Sequence, residues 1–425
     1  MTDTAGTPSG GPVGPGLGAS PTGAGLIRRR RRWLRCTAIG VAGVVLGVVG
    51  AGWAAYEKLN GNITSDDRAA AELARYEKER PTSLVRDAQN ILLIGSDSRS
   101  GDENRKYGRD SGTERSDTTI LLHLAADRHS ATAVSLPRDL MVNVPSCRRP
   151  DGTRSLPTFT MFNSAFETGG SACTIRTVEK LTNIRVDHHM VVDFHGFKDM
   201  VDAVDGVEVC LKEPIDDKAA KLKLPAGKVT LNGEQALGYV RARKSIGDGS
   251  DTDRMDRQQR FLGALVNKVQ SNDVLLNPTK LYPVLDAATS SLTTDPDLAS
   301  LRGLYDLVRG MRDIPTEHVQ FLTVPRTSYV HNSNRDQLVQ PAAAHLFTRL
   351  RSDEPVAVSK DLPEDSTPQP KESPSQSTFE SLSHDYGEAS TKDGKSSGKR
   401  PGAPADTPDP APTFRGNTAA EDACE

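Results

Sequence analysis

The chain has 425 residues, 36% of them hydrophobic, and a formal net charge of -3. That size holds one sizeable domain with appendages, and the near-neutral balance excludes a polycationic nucleic-acid binder. The 27 prolines and 36 glycines concentrate toward the two ends, so the globular part lies between them.

Residues 1–35 read as a disordered basic cytoplasmic tail. Gly, Pro, Ser and Thr dominate its first part and cannot bury enough surface to offset chain entropy, and Arg28 to Arg32 and Arg35 follow. Residues 36–56 carry no charge, and ~20 apolar residues are what a bilayer core asks of a helix, so this is a single transmembrane span. The arginines before it and Glu57-Lys58 after it put the N-terminus in the cytoplasm and the rest of the chain outside. A cleaved signal peptide is the competing reading, but its apolar core of ~7–15 residues is shorter than this run. Beside such a span the arginines are a topology signal rather than a nucleic-acid patch.

Residues 57–83 are charged and alanine-rich, a helical stalk closed by Pro81, and the extracytoplasmic domain is expected over 84–350. Its opening stretch, residues 90–144, reads as three strands. NILLI stops at Gly95-Ser96-Asp97, and residues 117–124 and 132–136 are aliphatic and β-branched runs between polar turns. Asp97, Arg115, Asp117, Arg138 and Asp139 therefore fall at strand ends. Carboxylates and guanidiniums placed together at sheet edges, where α/β folds bind ligands, point to a metal and an anion handled together.

Residues 147–160 read as a loop, and FNSAFETGG and SACTIRTVEKLTNI as two short helices separated by Gly169-Gly170. HHMVVDF is a short strand; residues 195–204 have helical spacing, ended by Gly206 before a strand over 207–211. Strands alternating with helices predict an α/β sandwich. Further on, LNGEQALGYVRAR predicts a helix over 234–239 leading into extended residues 240–243, then a Gly/Asp/Ser loop. A long helix opens near Asp253, a cap candidate, and Arg254, Arg257 and Gln258 share one of its faces. An isolated arginine pair reads as a solvated helix face. Here Arg241 with Arg243, and Arg254 with Arg257, present doubled guanidiniums on two elements, and arginine grips phosphate oxygens in a fork.

Toward the end, Asp295-Pro296 is expected to start a helix running to about residue 310, residues 318–324 form a last strand, and residues 342–350 a closing helix. Residues 351–425, rich in Ser, Pro, Asp, Glu and Lys, read as a disordered tail. Nucleotide hydrolysis and zinc catalysis lack their signatures, for there is no G-x-x-x-x-G-K-[ST], H-E-x-x-H or paired C-x-x-C. GKSSG at 394–398 matches a nucleophile pattern but follows no strand. His188, His189 and His195 read as strand and helix-cap histidines with ordinary partners rather than as a cluster. Of the cysteines, Cys147 and Cys173 flank the irregular segment and are expected to be bridged in an oxidising compartment. Cys36 lies in the span, Cys210 is expected to be an unpaired thiol on its strand, and Cys424 to be exposed in the tail and open to intermolecular contact.

NILLIGSDSR, RSDTTILLHL, SLPRDLMVNVP, FNSAFETGG, DGVEV and LNGEQALGYVRAR followed by DxDRxxRQQ resemble, in order, the motifs of the LytR-CpsA-Psr family of cell-wall glycopolymer ligases. The resemblance covers residues 88–269, with weaker support to about 350. It implies an α/β/α sandwich around a central mixed β-sheet, preceded by one transmembrane helix. It also implies a membrane-bound phosphotransferase that takes a glycan from a polyprenyl pyrophosphate carrier and joins it to peptidoglycan through a phosphodiester, with pyrophosphate hydrolysis as a side reaction. By the same resemblance Asp97 and Asp117 hold Mg²⁺, or Mn²⁺ in its place. Arg115, Arg138, Arg241, Arg243, Arg254 and Arg257 surround the pyrophosphate, with Gln258 or Gln259 nearby. Asp117, Arg138 and Asp139 are the candidate catalytic residues, and Asp117 or Asp139 the base. The chemistry agrees, since Mg²⁺ takes one or two carboxylates plus phosphate oxygens and phosphoryl transfer rests on positioning and charge stabilisation. The alternative is a non-catalytic lipid-binding sensor or transcriptional attenuator, which would not need the metal site.

Overall fold

Leu92 and Ile94 are buried in one hydrophobic cluster, while Ile91, one residue out of phase, is buried in another with Leu93 packed against it. Successive residues of a strand point to opposite faces, so a strand apolar on both must be covered on both. That requirement sets the architecture.

The structure, a computed structural model, describes residues 24–96, 116–218, 220–242, 251–270, 278–360 and 413–421. Contacts divide the chain into two units, Met1–Lys58 and Leu59–Glu425. Helix α1 (Ala24–Asn62) passes through the first, and its stretch Cys36–Asn62 is long and apolar enough to cross a membrane. It takes in residues 24–35, expected in the tail, because the arginines there are good helix formers.

The strands of the second unit begin with β1 (Thr64–Ser65), β2 (Gln89–Ser96), β3 (Ser116–Leu124), β4 (Ala131–Leu136), β5 (Met141–Val144), β6 (Thr158–Met161) and β7 (His188–Val192). They continue with β8 (Val207–Leu211), β9 (Ile215–Asp217), β10 (Leu222–Leu224), β11 (Gly227–Leu231) and β12 (Leu292–Thr294). The last are β13 (Val319–Thr323), β14 (Arg326–Tyr329), β15 (Asn332–Leu338), β16 (Ala357–Ser359) and β17 (Thr413–Thr418). The helices are α2 (Asp67–Arg75), α3 (Ser164–Thr182), α4 (Phe194–Ala203), α5 (Gly233–Arg241), α6 (Asp251–Gln270), α7 (Pro278–Ser291), α8 (Leu301–Arg312) and α9 (Ala342–Arg351). Among the described residues nine strands form one sheet in the order β1-β12-β7-β2-β3-β4-β13-β17-β16. β2 runs parallel to β7 and antiparallel to β3, and β4 antiparallel to β3 and parallel to β13, so the sheet is mixed as expected.

On one face Leu92, Ile94, Leu121 and Val134 meet Ile175 and Val178 of α3 and Leu346 and Phe347 of α9. On the other, Ile91, Ile120, Ala133 and Phe321 meet Leu307 of α8, with Leu262 and Val266 of α6 alongside. Burying such a side chain stabilises by roughly 1.5–3 kcal/mol, so these two layers hold the α/β/α sandwich together. A third cluster joins β8 to β11 with α4, α5 and Phe261 of α6.

Three expectations need correction. Residues 57–83 are not a free stalk. β1 joins the sheet, α2 buries Ala69, Glu72 and Leu73, and Arg80 grips Glu179 with Nε and Nη2 at 3.0 and 2.8 Å. Asp66 caps α2 by accepting from Ala69 N at 3.0 Å, while Ser171 Oγ donates to its other oxygen at 2.6 Å. A short helix with one narrow buried stripe looks like a solvated one when its partners are unknown. Residues 351–425, expected to be a disordered tail, contribute two strands: β16 and β17 extend the sheet beyond β13, with Phe414 and Ala419 buried. Third, Cys210 is disulfide-bonded. It is half-buried, on the opposite side of its strand from the buried Val207, Val209 and Leu211. Cys36 is free and exposed, and Cys424 lies outside the described residues.

The bridge between Cys147 and Cys173 is present, with Cα atoms 5.5 Å apart. It explains the glycine pair that breaks α3: a Cβ on Gly169 would lie 2.8 Å from the Arg148 carbonyl oxygen and 3.0 Å from Cys173 Cβ, and Gly170 has φ of 61°. Glycine is thus required at both positions, at Gly169 for the close approach and at Gly170 for the backbone.

Candidate active site

The ends of four strands share one sheet edge. Ser96 ends β2 opposite Ser116 of antiparallel β3, Leu136 ends β4 opposite Thr119, and Thr323 ends β13 opposite Ser135. Asp117 thus stands at this edge, and the turn after β4 brings Arg138 and Asp139 to it. Arg138 Nη1 donates to Asp117 Oδ1 at 2.9 Å and its Nε to Asp139 Oδ2 at 3.3 Å. Arg335 Nη1 donates to Asp139 Oδ1 at 3.2 Å. The result is a chain of alternating charges, Asp117–Arg138–Asp139–Arg335, partly open to solvent. The turn itself is held by Asn163 N on the Arg138 carbonyl and Asp336 N on that of Asp139, both at 3.1 Å.

Helix α6 is fastened to the same edge. Gln259 Nε2 donates to Ser135 Oγ at 3.1 Å and to Thr323 Oγ1 at 3.0 Å, across the parallel pair β4–β13. Arg254 and Arg257, within two turns on the N-terminal side, are buried. Arg257 donates to the Ala242 carbonyl and Gln258 Nε2 to that of Val240 at 3.2 Å, so α6 holds the last turn of α5. Arg241, which ends α5 rather than extending from it, lays its guanidinium 4.4 Å over the ring of Phe194. Phe194 opens α4 just past β7, whose Val192 is registered with Gly95 of β2, so Arg241 too reaches this edge.

Of the predicted site residues, Asp117, Arg138 and Asp139 are brought into contact, and Arg241, Arg254 and Arg257 gather on the two helices docked beside them. Gln258 and Gln259 bond helix to helix and helix to sheet. Asp97, Arg115 and Arg243 lie outside the described residues. Sequence reasoning missed Arg335, Phe194 and the buried Arg326–Asp336 pair behind Asp139. The charges of NRDQ were visible, but a polar hairpin shows no period that would aim them at Asp139.

The histidines bond elsewhere. His188 Nδ1 lies 3.1 Å from Asp295 Oδ1, at the opposite end of β7 from the arginines; burial works against its charge, but the bond and charge of Asp295 outweigh it and raise its pKa. His189 Nε2 lies 3.3 Å from Asp66 Oδ2 and His195 Nε2 3.4 Å from Asp199 Oδ2. Donor atoms of His188, Asp295 and Asp297 lie within 4.8 Å of one another, yet the Asp295 oxygens already take the N–H groups of His189, Asp297 and Leu298. That set closes a turn.

The LytR_cpsA_psr family model matches residues 58–352. LcpA of Corynebacterium glutamicum, a cell wall biosynthesis protein, is 35% identical over 266 residues, 57% of this chain and 50% of LcpA. TagT of Bacillus subtilis, a polyisoprenyl-teichoic acid–peptidoglycan teichoic acid transferase, is 28% identical over 298 residues, 68% of this chain and 85% of TagT. A solved protein from Streptococcus agalactiae shares the fold, with a TM-score of 0.53 at 23% identity over 63% of this chain and 88% of its own. The chain spans about half the length of the two Corynebacterium relatives it matches, 53% of LcpB and 50% of LcpA.

Proposed function

The chain belongs to the LytR-CpsA-Psr family, and from that premise we propose that it is a membrane-anchored phosphotransferase. It takes a glycopolymer from a polyprenyl pyrophosphate carrier and joins it to peptidoglycan through a phosphodiester. The observation that carries this reading is the Asp117–Arg138–Asp139 chain at the sheet edge to which Gln259 fastens α6, the helix bearing Arg254 and Arg257. A pyrophosphate diester brings two negative charges, and guanidiniums held in place by packing bind its oxygens without reorganising.

The donor chemistry suits Mg²⁺, with Mn²⁺ as a substitute: Asp117 offers a hard carboxylate oxygen, partly exposed and oriented by Arg138, and Asp97 is the second proposed ligand. Bound there, the ion would supply positive charge to phosphate oxygens. In the transfer, a peptidoglycan hydroxyl oxygen bonds the glycan-linked phosphorus as the bond from that phosphorus to the bridging oxygen breaks, and polyprenyl phosphate leaves. The arginines offset the charge that grows on it. Both oxygens of Asp139 hold guanidiniums, so Asp139 orients Arg138, and Asp117 is the better placed acceptor for the hydroxyl proton.

Full-length protein in detergent, given a polyprenyl-pyrophosphate glycan and peptidoglycan strands, is expected to release polyprenyl phosphate as sugar enters the strands; in the absence of strands, slow hydrolysis of the pyrophosphate is the side reaction. Binding of the donor with no turnover would leave a lipid sensor in its place. The N-terminus is cytoplasmic in this reading. Leu156→Cys, at a side chain 82% exposed, should then react with a membrane-impermeant maleimide in intact cells, and protection there would reverse the topology.

A further inference from the structure

Two hairpins beside the site bring an exposed aromatic ring, Phe159, against a half-buried one, Tyr329. Phe159 of β6 is 50% exposed, and its ring centroid lies 6.1 Å from that of Tyr329 at the end of β14. Tyr329 meets His331 edge-on at 5.3 Å, and Val330 at the tip is 74% exposed. The rings come from different hairpins, so neither strand needs the contact for its own formation, and a contiguous exposed apolar patch is the mark of a binding surface.

The patch is rigidly joined to the proposed site. In β5–β6, Asn143 is registered with Phe159, and the same β5 follows directly on Arg138 and Asp139. In β14–β15, Asp336 bridges to Leu140 and donates its N–H to the Asp139 carbonyl, while Arg335 reaches the Asp139 carboxylate. Along β15, the four steps from Asp336 to Asn332 span roughly 13 Å. The rings therefore stand a few sugar units from the Arg138–Asp139 turn, which the same two hairpins hold and from which Arg138 reaches Asp117.

Beside the rings stand the exposed amides of Asn332 and Asn334. Ring faces and neutral amides suit a sugar, which is apolar on its C–H face and hydroxylated at its rim; the arginines of the same hairpin, which a membrane-binding patch would turn to lipid phosphates, are instead paired, Arg326 with Asp336 and Arg335 with Asp139. We infer that the paired hairpins are the acceptor platform. Resting on the phosphotransferase reading above, the platform stacks the peptidoglycan glycan strand on Phe159 and Tyr329 and so presents a sugar hydroxyl to Asp117 and Arg138. Binding energy gathered on sugars remote from the reacting hydroxyl then serves to orient it.

The test uses the full-length protein in nanodiscs with soluble peptidoglycan glycan strands and a polyprenyl-pyrophosphate glycan. Phe159→Ala/Tyr329→Ala is expected to raise the acceptor KM about tenfold or more, and to weaken binding to the immobilised strands alike, with the donor KM within about twofold. Tyr329→Phe keeps the ring and should behave as the parent. Unchanged acceptor KM and strand binding in the double variant overturn the platform. So does loss of binding to anionic phospholipid vesicles with strand binding intact, which would assign the rings to the membrane. If the parent holds strands through these rings yet transfers nothing to them, the platform stands and the phosphotransferase reading fails.

Discussion

Replacing Phe414 by alanine asks whether β17, which follows a long polar stretch, is a working part of the domain. Its ring is 4% exposed, in the cluster that includes Leu322, Leu350 and Val356, and its strand lies between β13 and β16, with Val358 registered opposite. Truncating a buried phenylalanine costs about 3–5 kcal/mol, and a site with one short strand outside it relaxes enough to favour the lower end, about 3. The nearby Arg415–Asp256 pair is 39% and 25% exposed, so it contributes at most about 1 kcal/mol and the ring is the larger perturbation. At about 2–4 °C per kcal/mol, the unfolding midpoint should fall by roughly 6–12 °C. The effect reaches the site through α6. Asn267 Nδ2 donates to the Ala419 carbonyl at 2.6 Å, and a Cβ on Gly263 would lie 3.3 Å from Ala419 Cα, so β17 braces the helix that carries Arg254 and Arg257. Donor KM should therefore rise in Phe414→Ala even well below the midpoint. Thermal unfolding followed by near-UV circular dichroism, with donor kinetics at 25 °C, tests both. A midpoint within about 1 °C of the parent would show that β17 lies outside the cooperative unit and refute the reasoning.

Arg138→Lys keeps the charge but cannot reach Asp117 and Asp139 from one nitrogen, so transfer should fall about tenfold or more, and further in Arg138→Ala. Parent-like kcat/KM in the lysine variant would remove Arg138 from its bridging role. The Cys147–Cys173 bridge closes a loop with a sequence separation of 26. The Cys147→Ser/Cys173→Ser variant should lose about 3 kcal/mol in chemical denaturation, and an unchanged midpoint would mean the bridge constrains nothing. The Asp66 carboxyl lies at about 2: burial raises it, but bonds from His189, Ser171 and Ala69 N outweigh that and lower it. A carboxyl depressed on folding contributes above its unfolded value of about 3.9, here roughly 2 kcal/mol, and the contribution is lost as pH falls from about 4 toward 2. Asp66→Asn should flatten stability over that window; identical pH slopes in parent and variant would assign the acid sensitivity to other groups.

The spans that the sequence determined by itself are those written in local pattern. The uncharged run of the apolar helix, the aliphatic runs of β2, β3 and β4 and the glycine break in α3 each follow from side chains within a few residues of one another, because strand alternation, helix period and turn chemistry are local. Strand ends came with them, and so Asp117, Arg138 and Asp139 were already marked. The tertiary structure alone decided what meets them. Arg335 reaches Asp139 from 196 residues away, and Asn267 holds the Ala419 carbonyl across 152. Gln259 turned out to join α6 to β4 and β13, α2 became a wall of the domain, Cys210 found a disulfide, and the polar sequence TFRGNT became a strand. None of these has a local signature, since a short strand or an amphipathic turn forms only when a distant partner covers it. Which partner does so is set by the strand order and register that bury both faces of the sheet at once.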